Sequence, residues 1–169
     1  MVAALTPGTL EPGLAALAEA RRHLGYHESP PGSNRTMFGR WFGLDGEPWC
    51  AIFVSYCFAV GAGVILGGGR SFTHGVASVP QLEAWLRETR CWRTRAPARG
   101  DIVLFDWDGG APDHVGIVER VGGGRVGTIE GNTGVASNTD GGAVMRRSRP
   151  TKAVVGYGRL HRAAISATL

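Results

Sequence analysis

The feature that most constrains the fold is an almost wholly apolar segment at residues 48–60, PWCAIFVSYCFAV. A segment that is apolar on all sides is typical of a buried helix. It is far too short to cross a bilayer, which takes about 20 apolar residues. Pro48 signals a helix start, because the N–H that proline lacks would have no partner in a first turn. The segment therefore predicts a central buried helix with Cys50 in its first turn.

Cys50 is the first candidate for a reactive side chain. The unpaired N–H groups and the positive dipole end of a helix N-terminus favour a thiolate over a thiol. The alternative is that Cys50 is a small buried hydrophobic residue, as most free cysteines are. The helix by itself leaves both interpretations open.

A β-hairpin is predicted downstream, where two β-rich runs at residues 113–121 and 125–132 flank glycines 122–124. If all three glycines form the loop, Val121 pairs with Arg125. Continuing that register places the polar residues at the far end of the hairpin opposite one another.

In this register His114 lies opposite Asn132 and Gly116 lies opposite Glu130, so the polar side chains share one face. Gly116 leaves room for Glu130 to lean toward the imidazole. A slip of one residue would send these groups to opposite faces. A histidine that acts as a base needs such a neighbour to fix its tautomer and stabilise the imidazolium. The alternative is a half-solvated hairpin with ordinary polar residues.

The remaining pattern predicts one α+β domain over residues 1–169, which is an ordinary size for a single domain. No repeat and no separate cell-wall-binding domain fits in the chain. Amphipathic helices are predicted at residues 13–24 and 79–88, and further strands at residues 102–107, 144–149 and 153–160.

Five motifs in order carry a resemblance to a known family: PWCAIFVSYC, GDIVLFDWDGG, DHVGIVERV, TIEGN and VVGYGR. The chain resembles the CHAP domain, the cysteine, histidine-dependent amidohydrolase/peptidase family of bacterial cell-wall hydrolases that is common in phage endolysins. The similarity extends from about residue 15 to residue 159 and so covers most of the chain.

The resemblance implies roles for four residues: Cys50 as nucleophile, His114 as general base, Glu130 as orienting acid and Asn132 as an assisting polar group. It also implies a papain-like fold, with N-terminal helices and the nucleophile at a buried helix N-terminus packed on an antiparallel β-sheet. The implied activity is cleavage of an amide bond in peptidoglycan through a cysteine thioester, by an N-acetylmuramoyl-L-alanine amidase or a stem or cross-bridge endopeptidase.

Three further residues are candidates for the substrate groove. Trp41 and Trp49 either wall the groove or belong to the core, since aromatic side chains dominate packing. Papain-like enzymes place an amide side chain six residues before the nucleophile, where this chain has Leu44. Asn34 is therefore the candidate for the second oxyanion donor.

No cofactor is expected. The chain has no C-x-x-C or H-E-x-x-H motif, which argues against zinc. Asp106, Asp108 and Asp113 precede the histidine without the spacing of a calcium loop, so calcium stays an open alternative and no metal site is predicted.

The other cysteines are not expected to react. Cys50 and Cys57 are about two helical turns apart, roughly 10 Å, which is too far for a disulfide. Cys57 is predicted to be buried packing. Cys91 follows a predicted helix and is expected to be partly exposed, with no assigned role.

The net charge of +4 suits an anionic partner such as the bacterial wall. No basic-aromatic stripe points to nucleic acid, and no segment points to a membrane. We expect a monomer that acts on peptidoglycan. Residues 1–7 have no basic region and no long apolar core, so no signal peptide is predicted. A wall hydrolase of this family would then be phage-encoded, and released through a holin pore or carried on the virion.

Two other functions remain open. One is a virion-associated wall-binding or structural module that kept the fold without turnover. The other is a cysteine peptidase that acts on proteins.

Overall fold

The computed structural model describes residues 11–69, 73–137 and 140–161, so the expectation for residues 1–7 lies outside the described residues. The helices are α1 (Pro12–Arg22), α2 (Met37–Phe42), α3 (Cys50–Ala62) and α4 (Val79–Glu88), with short 3-10 turns at Leu66–Gly69 and Thr151–Ala153. The strands are β1 (Trp92–Arg93), β2 (Ile102–Phe105), β3 (His114–Gly122), β4 (Arg125–Thr133), β5 (Ala143–Pro150) and β6 (Val154–Gly158).

The strands form one six-stranded sheet in the order β1-β6-β2-β3-β4-β5. Every pairing in it is antiparallel. Helices α1 and α3 pack on each other and against β3 and β4. The predicted α+β fold, with N-terminal helices packed on an antiparallel sheet, is confirmed.

Helix α3 is the core of the helical layer. It begins at Cys50, and it ends where Gly63 adopts a left-handed conformation with φ of 68°. Ile52, Phe53 and Phe58 are fully buried within it, as expected for a segment that is apolar on all sides. Among the described residues, no helix combines the length and the apolar character that a membrane span requires.

The hairpin turn between β3 and β4 is tighter than the sequence pattern predicts. Gly122 pairs with Arg125, which leaves Gly123 and Gly124 as a two-residue turn. Both have positive φ, 59° and 68°, as the turns that match the twist of a hairpin require. The predicted three-residue loop is therefore wrong.

A β-bulge at Glu119 corrects the register before the strands reach the polar end. Val118 pairs with Thr128, whereas Arg120 pairs with Gly127, so Glu119 has no partner across the ladder. Its carboxylate instead accepts hydrogen bonds from Arg21 of α1 at 2.8 Å and Arg146 of β5 at 2.9 Å.

The bulge adds one residue to β3 and offsets the shorter turn. Ile117 consequently pairs with Ile129, which is the pairing that the three-residue loop predicts.

All three cysteines are free and buried. Cys57 lies in the core as predicted, with no exposed surface. The prediction that Cys91 is partly exposed is wrong, since only 2% of its surface is accessible. Its backbone bonds to both Leu86 and Arg159, which holds it between the end of α4 and the residue after β6.

Replacing Cys57 tests the packing of α3. We expect Cys57→Ala to lower the free energy of unfolding by about 1–3 kcal/mol, because it opens a cavity in a closed core. Val60→Ala is the matched control on the same helix, because Val60 is half exposed and its truncation is expected to cost less than about 0.5 kcal/mol. Urea denaturation measures both. An equal cost for the two variants would contradict the assigned packing.

Candidate active site

His114 is the first residue of β3, and its imidazole is fully buried. Its Nε2 lies 2.8 Å from Glu130 Oε2. The ring lies beside two aromatic neighbours that stack on each other, with its centroid 6.2 Å from that of Phe105 and 5.9 Å from that of Trp107. The imidazole is thus held at Nε2 by a carboxylate and has a pair of aromatic rings beside it.

Glu130 reaches His114 because Gly116 leaves the space between them empty. Continuing the register by one residue on each strand from the pair Ile117 and Ile129 places Gly116 opposite Glu130. A β-carbon built on Gly116 would lie 2.7 Å from Glu130 Cγ, closer than carbon atoms approach. The predicted lean of Glu130 across a glycine is therefore what the structure contains.

Cys50 supplies the third group, at the first turn of α3. The sulfur is nearly buried, with 6% of the residue accessible. Its side chain interacts with the His114 ring. Because Glu130 occupies Nε2, the nitrogen left for the thiol is Nδ1. Within the described residues Nδ1 has no hydrogen bond of good geometry, so the contact is loose, as catalytic contacts often are without substrate.

The surroundings of His114 favour its protonated form. Burial lowers the pKa of the imidazole, but the interactions of the ring with the Cys50 side chain and with the Glu130 carboxylate raise the pKa from 6.5 to about 9. At neutral pH the ring is therefore an imidazolium, which can donate a proton.

Glu130 stays ionised despite its burial. Burial raises its pKa, but hydrogen bonds with His114 and Arg149 outweigh that effect and lower the pKa from 4.5 to about 2.

Cys57 shows the opposite behaviour, since burial, with the charge of Glu19, raises the pKa of its thiol well above the ordinary value. Cys57 therefore stays a neutral thiol.

Asn132 is brought to the same end of the hairpin, but it makes no hydrogen bond with His114. The residue is fully buried and its backbone is left-handed, with φ of 52°. Neither polar atom of its amide has a hydrogen-bond partner in the described part of the chain. The position next to His114 Nε2 belongs to Glu130, and the assisting role of Asn132 stays a prediction.

The two tryptophans proposed for the groove differ in burial. Trp49 is fully buried, stacks on Phe38 at 5.6 Å and donates its indole N–H to Glu28 at 3.3 Å. It belongs to the core and cannot line a groove. Trp41 is only partly buried, with its ring edge-on to Tyr56 at 5.1 Å.

Asn34 lies in a loop that is tied to the start of α3. Its backbone N–H donates to Glu28 Oε2 at 3.2 Å, and the same carboxylate oxygen receives the indole N–H of Trp49, the residue before Cys50. Asn34 Oδ1 is buried without a partner among the described residues. Its role as an oxyanion donor stays a prediction.

Sequence reasoning missed three residues around the site. Arg149 donates to both oxygens of Glu130, Thr128 donates its hydroxyl to Glu130 Oε1 at 2.5 Å, and Trp107 packs beside His114. The alternation of β4 places Thr128 and Glu130 on one face and is the signal that could have found Thr128.

No metal centre is evident in residues 11–69, 73–137 and 140–161, where no three His, Cys, Asp or Glu side chains are grouped to hold an ion. In the acidic loop before His114, Asp106 Oδ1 accepts the backbone N–H groups of Asp108 at 3.0 Å and Gly109 at 2.9 Å. That carboxylate stabilises its own turn.

Comparison with known families agrees with this geometry. The CHAP domain family matches residues 42–132, which include Cys50, His114, Glu130 and Asn132. The chain belongs to the CHAP domain family. Its members are cysteine, histidine-dependent amidohydrolases and peptidases, so the chain is a member of an enzyme family.

Solved structures with the same fold include "The crystal structure of Ly7917" and "The crystal structure of Ly7917 with the hydrolyzing product of MDP". Each is 23% identical to this CHAP chain with a TM-score of 0.52, over 86% of this chain. The alignment covers 60% and 61% of the Ly7917 chains, so this chain spans about three fifths of their length. No curated protein matches the chain.

The buried pair makes stability depend on pH in a defined window. Because the pKa of His114 is raised, the contribution of His114 to the free energy of unfolding is complete below pH 6.5 and is lost as pH rises through about 9. Because the pKa of Glu130 is lowered, its contribution is complete above 4.5 and is lost as pH falls through about 2. We expect the pair to stabilise the CHAP domain most between those two ordinary values.

Urea denaturation of the wild type and of Glu130→Gln, from pH 6.5 to about 9, measures the part of this effect that is due to His114. The stability advantage of the wild type should shrink as pH rises from 6.5 toward 9. An advantage that is constant over that interval would contradict the coupling of His114 to Glu130.

Proposed function

We propose that this CHAP protein hydrolyses an amide bond of bacterial peptidoglycan, with Cys50 as nucleophile. The observation that carries the proposal is the buried imidazole of His114, which lies between the Cys50 thiol and the Glu130 carboxylate. A nucleophile, a base and an orienting group in contact are the arrangement that acyl transfer requires. Membership of the CHAP family and the fold shared with Ly7917 support the same substrate class.

The protonation state of His114 fits both halves of the reaction. With a pKa of about 9 the ring is protonated at neutral pH. As the Cys50 thiolate attacks the scissile carbonyl, His114 donates its proton to the departing amine and a thioester forms. The neutral ring then accepts a proton from water, which hydrolyses the thioester. Glu130 stabilises the imidazolium and fixes the ring in both steps.

Two groups are proposed to hold the oxyanion. The first is the backbone N–H of Cys50, which lies in the first turn of α3 and has no partner within the helix. The second is the Asn34 amide, whose loop Glu28 ties to the start of α3. Asn132 completes the polar end of the hairpin as an assisting group.

The type of amide bond stays at the level of two alternatives, an N-acetylmuramoyl-L-alanine amidase and a stem or cross-bridge endopeptidase. An endolysin-like role in wall lysis, phage-encoded, is the biological setting that we propose for either activity. A module without turnover is the rival, and it predicts that even the wild type releases nothing from walls.

Replacement of the nucleophile is the first test of this function. Cys50→Ala should reduce the release of dye from labelled, purified walls by at least about a thousandfold, because no thioester can form. Cys57→Ala is the matched control, since Cys57 lies in the same helix outside the site, and it should retain wall lysis at temperatures where it is folded. Substantial lysis by Cys50→Ala would show that the nucleophile is misassigned.

The products identify the bond. A thiolate and an imidazole acylate at a carbonyl, whereas glycosidic cleavage normally needs two carboxylates on either side of the bond. Mass spectrometry of digested wall should therefore find new amino groups. Free stem peptides with intact glycan indicate the amidase, and shortened or uncrosslinked stems indicate the endopeptidase. New reducing sugar ends with intact stems would refute amide hydrolysis.

Activity should survive a chelator, since the proposed steps use only groups of the protein and water. We expect wall lysis in EDTA at the rate measured without it. Loss of lysis that calcium restores and magnesium does not would establish a calcium requirement.

A further inference from the structure

Arg149 of β5 is a buried cation joined to the site through Glu130. Only 3% of the residue is accessible. Its Nε donates to Glu130 Oε1 at 3.0 Å and its Nη2 donates to Glu130 Oε2 at 2.5 Å. This is the two-point geometry in which a guanidinium fixes the plane of a carboxylate.

The two oxygens of Glu130 are shared between Arg149 and the rest of the site. Oε1 also accepts the hydroxyl of Thr128, and Oε2 also accepts from His114 Nε2. A carboxylate held at both oxygens cannot rotate away from the imidazole without breaking a buried, charge-assisted hydrogen bond. The orientation of His114 therefore depends on Arg149 through Glu130.

The sheet explains how Arg149 reaches that position. Arg149 pairs with Val126 of β4, and Val126, Thr128 and Glu130 alternate onto the same face. The side chain extends along that face to Glu130. Its guanidinium lies 5.0 Å from the ring centroid of Trp107 and 5.8 Å from that of Phe105, the two rings that also lie beside His114.

Arg146, on the same strand, is an arginine that binds a carboxylate outside the site. It is exposed and pairs with Glu119 at 2.9 Å. That contact is made at the bulge of β3. Both arginines bind a carboxylate, but only the partner of Arg149 touches His114.

We propose that Arg149 is a positioning residue, whose guanidinium fixes the plane of the Glu130 carboxylate, keeps it charged, and so holds His114 in the orientation that serves Cys50. The kinetic consequence rests on the proposed function, whereas the state of Glu130 can be followed without any activity. Removal of a buried partner leaves the other charge uncompensated, which favours protonation of Glu130.

The experiment compares Arg149→Met and Arg149→Lys with the control Arg146→Met. Two quantities are measured for each protein: the titration of the Glu130 side-chain carboxyl by ¹³C NMR, and kcat and KM for wall-fragment hydrolysis. We expect Arg149→Met to titrate Glu130 at least about one pH unit higher than the wild type. Its kcat should fall at least about tenfold with KM changed less than about twofold.

Arg149→Lys keeps a positive charge, but a lysine ammonium cannot donate the two parallel hydrogen bonds by which a guanidinium binds both carboxylate oxygens. It should leave Glu130 ionised over the wild-type pH range and still lower kcat at least about fivefold. This variant decides the question if Arg149→Met does not fold. Arg146→Met should match the wild type in both measurements.

A wild-type kcat in either folded Arg149 variant would overturn the proposal, and so would an unchanged Glu130 titration in Arg149→Met. If the wild type hydrolyses no wall fragment, the proposed function fails. The Glu130 titration then decides the role of Arg149 by itself.

Discussion

The buried carboxylate of Glu130 is the interaction on which the site depends. A charge in the interior is stable only when it is paired and hydrogen-bonded. Glu130 meets that condition through His114, Thr128 and Arg149. These contacts keep it ionised; burial lowers the pKa of His114, but Cys50 and the ionised Glu130 together raise it. The protonated state of His114 thus depends on Glu130 as well as on Cys50.

The backbone brings these side chains together through small local features. The glycine turn of the hairpin and the bulge at Glu119 offset each other, so that Gly116 faces Glu130. Arg21 and Arg146 both bind Glu119 at the bulge, from a helix and from the neighbouring strand. The bulge itself sets the register, and the exposed guanidinium of Arg146 is expected to contribute little to it.

Much of this architecture could be predicted from local patterns. The apolar segment around Cys50 and the two strands around the glycine turn are continuous in sequence, so the face shared by His114 and Glu130 could be predicted. That prediction was correct only because the bulge at Glu119, which the sequence pattern does not show, offsets the wrong loop length. The burial of Trp49 could not be predicted, because it depends on Phe38 from a separate helix. The role of Arg149 depends on how β5 pairs with β4, and the sequence pattern of residues 134–142 between those strands does not by itself fix that register.

The central claim is that Glu130 and Cys50 together hold His114 as an imidazolium at neutral pH. Nitrogen NMR of the His114 ring in ¹⁵N-labelled protein tests it most directly, because the shifts of Nδ1 and Nε2 report which nitrogens carry protons. The account predicts that both are protonated at pH 7 and that the ring titrates near 9. A neutral ring at pH 7, with a titration at or below the ordinary value of 6.5, would contradict it.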